Sequence, residues 1–191
     1  MSLGFAALVL LAAVLHATWN AIVKTGEDRM LTLTLVIGAG SVMAAMALPF
    51  IEPPAPESWP YLLLSTILHT AYYSLLIRAY NYGDLSLVYP VSRGSAPLLV
   101  AFGAAAFFAE VPTATEFGGL ALASLGIAAF ALERKKGESW DYRPFLYCLA
   151  IAVFVSAYTL ADGIGVRLSG NSLSFILWLF FIYALPLIFS S

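Results

Sequence analysis

Residues 83–112 read GDLSLVYPVSRGSAPLLVAFGAAAFFAEVP, a stretch that combines a long apolar run with one strong base. From Leu85 to Ala109 the ionisable side chain of consequence is Arg93. It lies about 12 Å, at helical rise, from the near edge of the run. A guanidinium at that depth in hydrocarbon costs about 3 kcal/mol or more. The stretch therefore predicts a transmembrane helix in which Arg93 has a protein partner, a water-filled cavity or a ligand beside it.

The same stretch contains residues that weaken a helix. Pro90 and Pro97 lack a backbone donor, and Gly94 lies between them. Carbonyl groups freed in lipid must be satisfied by neighbouring helices, side chains or water. Two interpretations stay open. In one, a kinked structural helix lets Arg93 bond a neighbour's carbonyls; in the other, Pro90, Gly94 and Pro97 form a helix break or hinge, and Tyr89 and Arg93 line a solute pathway.

The composition is that of a membrane protein. Hydrophobic residues make up 61% of the 191 residues and charged residues 10%, against about 25% charged in soluble domains. A net charge of -2 with nine Lys and Arg predicts no nucleic-acid partner. The chain has one cysteine and two widely separated histidines, His16 and His69. We therefore expect no metal site and no cofactor.

Seven apolar segments predict an all-α membrane protein, a polytopic bundle of about seven transmembrane helices, located in a cell inner membrane or plasma membrane. The predicted helices are 3–24, 30–51, 60–80, 85–109, 117–132, 144–162 and 172–189. The lipid bilayer is thus the first predicted partner.

Basic residues are concentrated in the odd-numbered connections and predict the orientation. They are Lys24 and Arg29 at the first connection, Arg78 before the third, and Arg134, Lys135, Lys136 and Arg143 at the fifth. The second and fourth connections hold acidic residues and no base, and only Arg167, in the sixth, departs from this pattern. By the positive-inside rule we expect the N-terminus outside.

Polar side chains on three predicted helices fall in one layer of the membrane. His16, Trp19 and Asn20 share one face of the first helix. His16 and Arg93 lie at about 12 Å, and Tyr72 and Tyr73 at about 11 Å, from the cytoplasmic ends of their helices. The stripe on the first helix either lines a cavity or bonds across helices, and Trp19 also fits an interfacial anchor. His69 is either a packing residue or a proton carrier.

The sixth predicted helix enters the membrane in the opposite sense to the first, because five helices precede it. That parity is typical of inverted repeats, which place a site near the midplane at the repeat interface. We expect a five-helix repeat over 1–138 and the start of a second, inverted repeat over 139–191. Asp162 ends the predicted sixth helix and is either a solvated helix end or a coupling residue.

Three segments resemble a known family. They are HATWN at 16–20, SLVYPVSRGSAPLLVAFGAAAFFAEVPTATEFGGLALASLGI at 86–127 and YTLADGIGVR at 158–167. Together they resemble the EamA transporters of the drug/metabolite transporter superfamily.

The resemblance implies ten helices in two inverted five-helix repeats, a central cavity and transport of small organic solutes, frequently by export. It places two sets of residues at the cavity: Tyr89, Pro90, Arg93 and Pro97 of the fourth helix, and His16, Trp19 and Asn20 of the first. Measured against that pattern the chain is expected to lack three C-terminal helices. Those helices, or a homo-oligomer, would complete the cavity.

The sequence therefore favours a secondary transporter or facilitator that is not an enzyme. Its solute is a small molecule, anionic if Arg93 binds it, and Tyr72 and Tyr73 are further candidates to bind it. The alternative is a structural or sensory polytopic membrane protein. An intramembrane enzyme is disfavoured because no span holds clustered nucleophiles, bases or metal ligands.

Overall fold

The computed structural model describes residues 29–82, 85–131 and 143–190, together with residues 4, 6–8, 10–12, 14, 15 and 18 near the N-terminus. In these ranges all regular structure is helical, as the apolar segments predict. Helix α1 contains the described N-terminal residues. The other helices are α2 (Arg29–Ala47), α3 (Trp59–Tyr82), α4 (Leu85–Phe108), α5 (Ala114–Ala131), α6 (Arg143–Leu168) and α7 (Ser172–Ser190). Short 3₁₀ turns follow α2 at Leu48–Phe50 and precede α3 at Pro56–Ser58.

Local sequence explains where α5 and α7 begin. Thr113 and Glu116 form a capping box: the Thr113 backbone N–H donates to Glu116 Oε2 at 2.8 Å, and the Glu116 N–H donates to Thr113 Oγ1 at 3.4 Å. Asn171 caps α7, because its Oδ1 accepts from the backbone N–H groups of Leu173 and Ser174 at 3.0 and 3.3 Å. Each cap satisfies donors that a helix start leaves free.

Helix α6 is longer than the sequence predicts. Its predicted end at Asp162 is wrong, because the helix continues to Leu168. The chain leaves the helix at Gly170, whose φ of 70° is the left-handed conformation that commonly ends helices. Gly163 and Gly165 are therefore interior residues of α6. Asp162 consequently lies about 9 Å inside the helix end.

One helix in the described ranges, Leu146–Leu168, is long and apolar enough to cross a membrane by length and composition. Shorter apolar helices occur at Thr34–Phe50, Gly94–Phe108 and Ser172–Pro186. Large apolar side chains also point outward on several helices, among them Met46, Phe107, Leu122 and Val153, which are 55 to 77% exposed. Such outward apolar surface suits a bundle whose solvent is lipid.

Helix α3 lies between two hydrophobic clusters. On one side it packs with α4 and α6, through Tyr72, Leu76, Ala79, Val91, Ala96, Cys148, Ile151 and Val155. On the other side it packs with α7, which in turn packs on α2; this cluster contains Ile37, Leu62, Phe175, Leu179, Tyr183 and Ala184. Tyr73 contacts both clusters. Helices of the two predicted repeats thus pack against one another, while the division at residue 138 stays a prediction.

Serine hydroxyl groups connect the helices. Ser41 Oγ donates to the carbonyl of Phe181 at 3.3 Å and joins α2 to α7. Ser124 Oγ donates to the carbonyl of Gly94 at 2.7 Å and joins α5 to α4. Small residues let helices approach closely, and their hydroxyls find acceptors that lipid cannot supply.

The second, fourth and sixth connections meet at one end of the bundle. The backbone N–H of Ala55 donates to the Ser169 carbonyl at 3.1 Å, and Ser174 Oγ donates to the Glu52 carbonyl at 2.6 Å. An ion pair joins Arg167 to Glu110, with Nη1 2.7 Å from Oε1. We call this the tied end, formed by segments 48–58, 109–113 and 169–174. Its even-numbered connections share one face, as helices that cross in alternating directions require.

Candidate functional site

The residues expected to line the pathway on α1 and α4 are only partly described. His16, Trp19 and Asn20 lie outside the described residues. The backbone at Tyr89, Pro90 and Arg93 is helical and belongs to α4, but these side chains lie outside the described part. Their roles in solute binding stay predictions.

Helix α4 is continuous from Leu85 to Phe108, so Pro90 and Pro97 do not interrupt it. Gly94 is buried between them. Neighbouring hydroxyls bond this part of the helix: Ser124 bonds the Gly94 carbonyl, and Ser156 Oγ donates to the Ala96 carbonyl at 3.1 Å. Side chains of α5 and α6 thus bond carbonyls of α4 near Pro97, whereas the carbonyl that Pro97 leaves without its helical donor is that of Arg93, four residues earlier. The function of Pro90, Gly94 and Pro97 as a flexible point stays a prediction.

An aromatic cluster lies in the interior between α3, α6 and α7. His69 of α3 stacks on Tyr158 of α6, with ring centroids 3.9 Å apart and planes at 25°. His69 also stacks on Tyr183 of α7, with centroids 5.1 Å apart and planes at 19°. Each of the three residues lies about 15 Å along its helix from the tied end. In a hydrocarbon core about 30 Å thick that begins at the tied end, this distance would correspond to the middle.

Tyr72 and Tyr73 belong to the same cluster, which we define as His69, Tyr72, Tyr73, Tyr158 and Tyr183. The ring of Tyr72 meets that of Tyr158 edge-on at 5.8 Å, and Tyr73 stacks on Tyr183 at 6.2 Å. Tyr72 is 4% exposed and Tyr183 7% exposed. The rings thus pack on one another, and His69, Tyr73 and Tyr158 are half-buried.

Sequence reasoning selected Tyr72, Tyr73 and His69 and missed Tyr158 and Tyr183. Tyr158 could have been found, because it lies one helical turn before Asp162 on the same face of α6. Tyr183 is a polar ring within the strongly apolar segment SLSFILWLFFIYALPLIFS. Neither signal indicates which helix each ring would meet.

Asp162 extends the polar site toward the tied end. Its carboxyl group lies beside Ser65 of α3. Its Oδ1 atom is buried and has no hydrogen-bond partner among the described residues. The interpretation of Asp162 as a solvated helix end is wrong, because α6 continues to Leu168 and Oδ1 is buried. Its role in coupling stays a prediction.

Ser65 connects Asp162 to His69. Ser65 Oγ lies 3.1 Å from His69 Nδ1, and Nδ1 lies 3.0 Å from the Ser65 carbonyl oxygen. Because a carbonyl only accepts, this contact assigns a proton to Nδ1. The Ser65 hydroxyl can then donate to Asp162. We call Asp162, Ser65 and His69 the polar chain; it joins the aromatic cluster to a carboxyl group on another helix.

An open groove lies on the outside of the bundle between α4 and α5. This open groove has a volume of about 650 Å³ and is lined by Ala101, Glu110, Val111, Pro112, Glu116 and Leu120, among others. Both of its carboxylates are already occupied: Glu110 pairs with Arg167 and Glu116 caps α5. The aromatic cluster and the polar chain are therefore the stronger candidate site.

Comparison with protein families finds a match to the EamA-like transporter family over residues 4–132. Comparisons with curated proteins and with solved structures gave no significant match. The family match covers α1 to α5 and more than half of the chain, and it confirms the resemblance seen in the sequence. The chain therefore belongs to the EamA-like transporter family and is a membrane protein of a class that normally transports rather than catalyses.

Proposed function

We propose that the protein is a secondary transporter or facilitator that moves a small organic solute across the membrane by alternating access between two inverted repeats. Family membership supports transport of a drug or metabolite. The observation that carries the proposal furthest is the stacking of His69 between Tyr158 and Tyr183. It brings polar rings of α3 together with rings of α6 and α7, at mid-depth and across the predicted repeat boundary, where inverted-repeat transporters bind solute.

The packing of the cluster fits a closed state. Rocking of α6 and α7 away from α3 would separate rings that now touch and expose two tyrosine faces and an imidazole. These groups can stack on a planar solute and donate hydrogen bonds to it. In this proposal Arg93 binds an anionic group of the solute, and Pro90, Gly94 and Pro97 give α4 the flexibility to move.

The test is counterflow in liposomes that contain the full-length protein. Radiolabelled phenylalanine, glutamate and citrate serve as probes for an aromatic amino acid, an acidic amino acid and a carboxylate. We expect exchange of at least one probe, and its loss in Tyr158→Ala. Leu122→Ala is the matched control, because Leu122 is 74% exposed on the outside of α5. Folded wild-type protein that exchanges no probe would contradict the proposal.

Arg93 is tested separately in the same liposomes. Arg93→Ala should abolish exchange of an anionic probe while assembly survives, because the guanidinium would no longer meet the anionic group. Arg93→Lys keeps the charge without the bidentate geometry and should retain part of the exchange. Normal exchange by a well-folded Arg93→Ala protein would remove Arg93 from the mechanism.

A further inference from the structure

Asp162 has an oxygen that the described structure leaves without a donor. Oδ1 is buried and has no hydrogen-bond partner among the described residues, although Ser65 lies beside the carboxyl group. An ionised carboxylate inside a helix bundle is costly unless donors or a cation balance it. Protonation of Oδ1 removes that cost. The position of Asp162, about 9 Å from the tied end, makes it the first member of the polar chain that a proton from that side would meet.

The charged groups around Asp162 do not balance it within the described residues. Arg167 of α6 is 60% exposed at its side chain and pairs with Glu110. Five residues separate it from Asp162, so the two side chains leave the helix in different directions. Other titratable groups are described on α6 and on the elements packed against it. On α6 they are Arg143, Tyr147, Cys148 and Tyr158; on its neighbours they are Tyr61, His69, Tyr72, Tyr73 and Arg78 of α3, Tyr183 of α7 and Glu57 of the 3₁₀ turn before α3. The side chain of Arg93 on α4 is not among the described parts of the structure.

We propose that Asp162, Ser65 and His69 form a proton-binding and proton-relay site that couples solute movement to a proton gradient. The inference rests on the proposed transport function. In the relay step, protonated His69 gives the Nδ1 proton to Ser65 Oγ while the Ser65 hydroxyl proton passes to the Asp162 carboxylate. One proton moves from imidazolium to carboxylate and no other bond changes.

The stacking of His69 explains how the proton would affect the solute site. A protonated imidazole lies against two tyrosine faces and gains cation–π attraction, which holds the cluster closed. When the proton moves on to Asp162, that attraction weakens and the rings can separate. Proton movement along the polar chain would thus change the stability of the closed cluster.

The first test needs no solute. We would record pH-difference infrared spectra of the full-length protein in lipid and follow the band of the protonated carboxyl group. Asp162→Asn should lose a component of that band, and Ser65→Ala should shift the component by removing the hydroxyl group beside the carboxyl group. Glu57→Gln is the control, because Glu57 is an exposed acid at the same end. Asp162→Asn and Ser65→Ala spectra identical to wild type would overturn the proposal.

The second test compares uptake driven by a pH gradient with counterflow, using whichever of phenylalanine, glutamate and citrate the wild type exchanges. In Asp162→Asn the ratio of accumulation to counterflow should fall about tenfold, within the usual range for coupling between two sites. Glu57→Gln should keep the wild-type ratio. Wild-type counterflow without gradient-driven accumulation would overturn the coupling and leave transport standing. Absence of counterflow would overturn the transport function, and the infrared band would then decide alone whether Asp162 binds a proton.

Discussion

The imidazole of His69 lies 3.9 Å from the ring of Tyr158, measured between centroids, with the two planes inclined by 25°. The two residues are far apart in the chain and come from antiparallel helices. Ser65 lies four residues from His69, and Asp162 lies four residues from Tyr158, both toward the tied end. The side chains of Ser65 and Asp162 lie beside each other. The two contacts therefore repeat at a spacing of one helical turn along the α3–α6 interface. The interface holds an aromatic pair and a polar pair on the same two helix faces.

Removing the Tyr158 ring should destabilise the bundle. Tyr158→Ala leaves a cavity beside His69 and should lower the free energy of unfolding by about 3 kcal/mol. Tyr158→Phe keeps the ring and removes only the hydroxyl group, so it should cost less, at most about 1 kcal/mol. Denaturant titration in lipid–detergent micelles measures both. Equal costs for the two variants would mean that the hydroxyl, and not the stacking, matters.

Gly165 and Gly163 form a matched pair on α6. A Cβ at Gly165 would overlap the ring of Phe175 and lie 3.1 Å from Tyr61 Cβ, whereas Gly163 has no such neighbour within 4 Å. Gly165→Ala should destabilise the protein by about 1–3 kcal/mol through overpacking. Gly163→Ala should stabilise it by up to about 1 kcal/mol, since alanine favours helix. Melting curves of the two variants test this, and a Gly165→Ala protein as stable as Gly163→Ala would show that α6 and α7 do not approach closely there.

The hydrogen bond from Ser124 to the Gly94 carbonyl should stabilise the contact between α5 and α4. Ser124→Ala should cost about 0.6 to 2 kcal/mol, the range for hydrogen bonds between membrane helices. Ser74→Ala serves as control, because exposed Ser74 bonds the Thr70 carbonyl within its own helix. Denaturant titration of both variants is the measurement. If Ser74→Ala is the more costly change, the interhelical bond contributes little.

The ion pair between Arg167 and Glu110 should contribute little to stability despite its two contacts of 2.7 and 3.3 Å. The side chains are 60% and 51% exposed, and exposed pairs are typically worth less than about 1 kcal/mol. A double-mutant cycle with Arg167→Gln and Glu110→Gln measures the coupling energy. That energy should shrink further in high salt. A coupling well above this value, unaffected by salt, would show that the pair is shielded from water.

The orientation predicted from the basic residues can be tested with a reporter that is active on one side of the membrane. Fused into the connection at 133–141, which lies outside the described residues, it should report the cytoplasm. Fused at the tied end, near Pro53, it should report the outside. An external signal from 133–141 would reverse the orientation.

Several features could be read from the sequence because they depend on neighbours along the chain. Long apolar runs predicted the helices, with four of them differing from the structure by three residues or fewer at either end: α3, α4, α5 and α7. The family resemblance rested on contiguous segments such as 86–127 and was confirmed by the match over 4–132. The predicted end of α6 at Asp162 was wrong, because the helix continues to Leu168. Gly165 lies inside the helix and packs closely against Phe175.

The partners of the polar side chains were decided by the tertiary structure. Sequence placed His69 at mid-depth and noted Asp162, but it could not bring Ser65 between them or set Tyr158 and Tyr183 on either side of the imidazole. Those contacts depend on how α3, α6 and α7 are rotated and crossed. Rotation is set by packing between helices, and segments that are apolar on nearly every face carry little periodic signal to indicate which face turns inward.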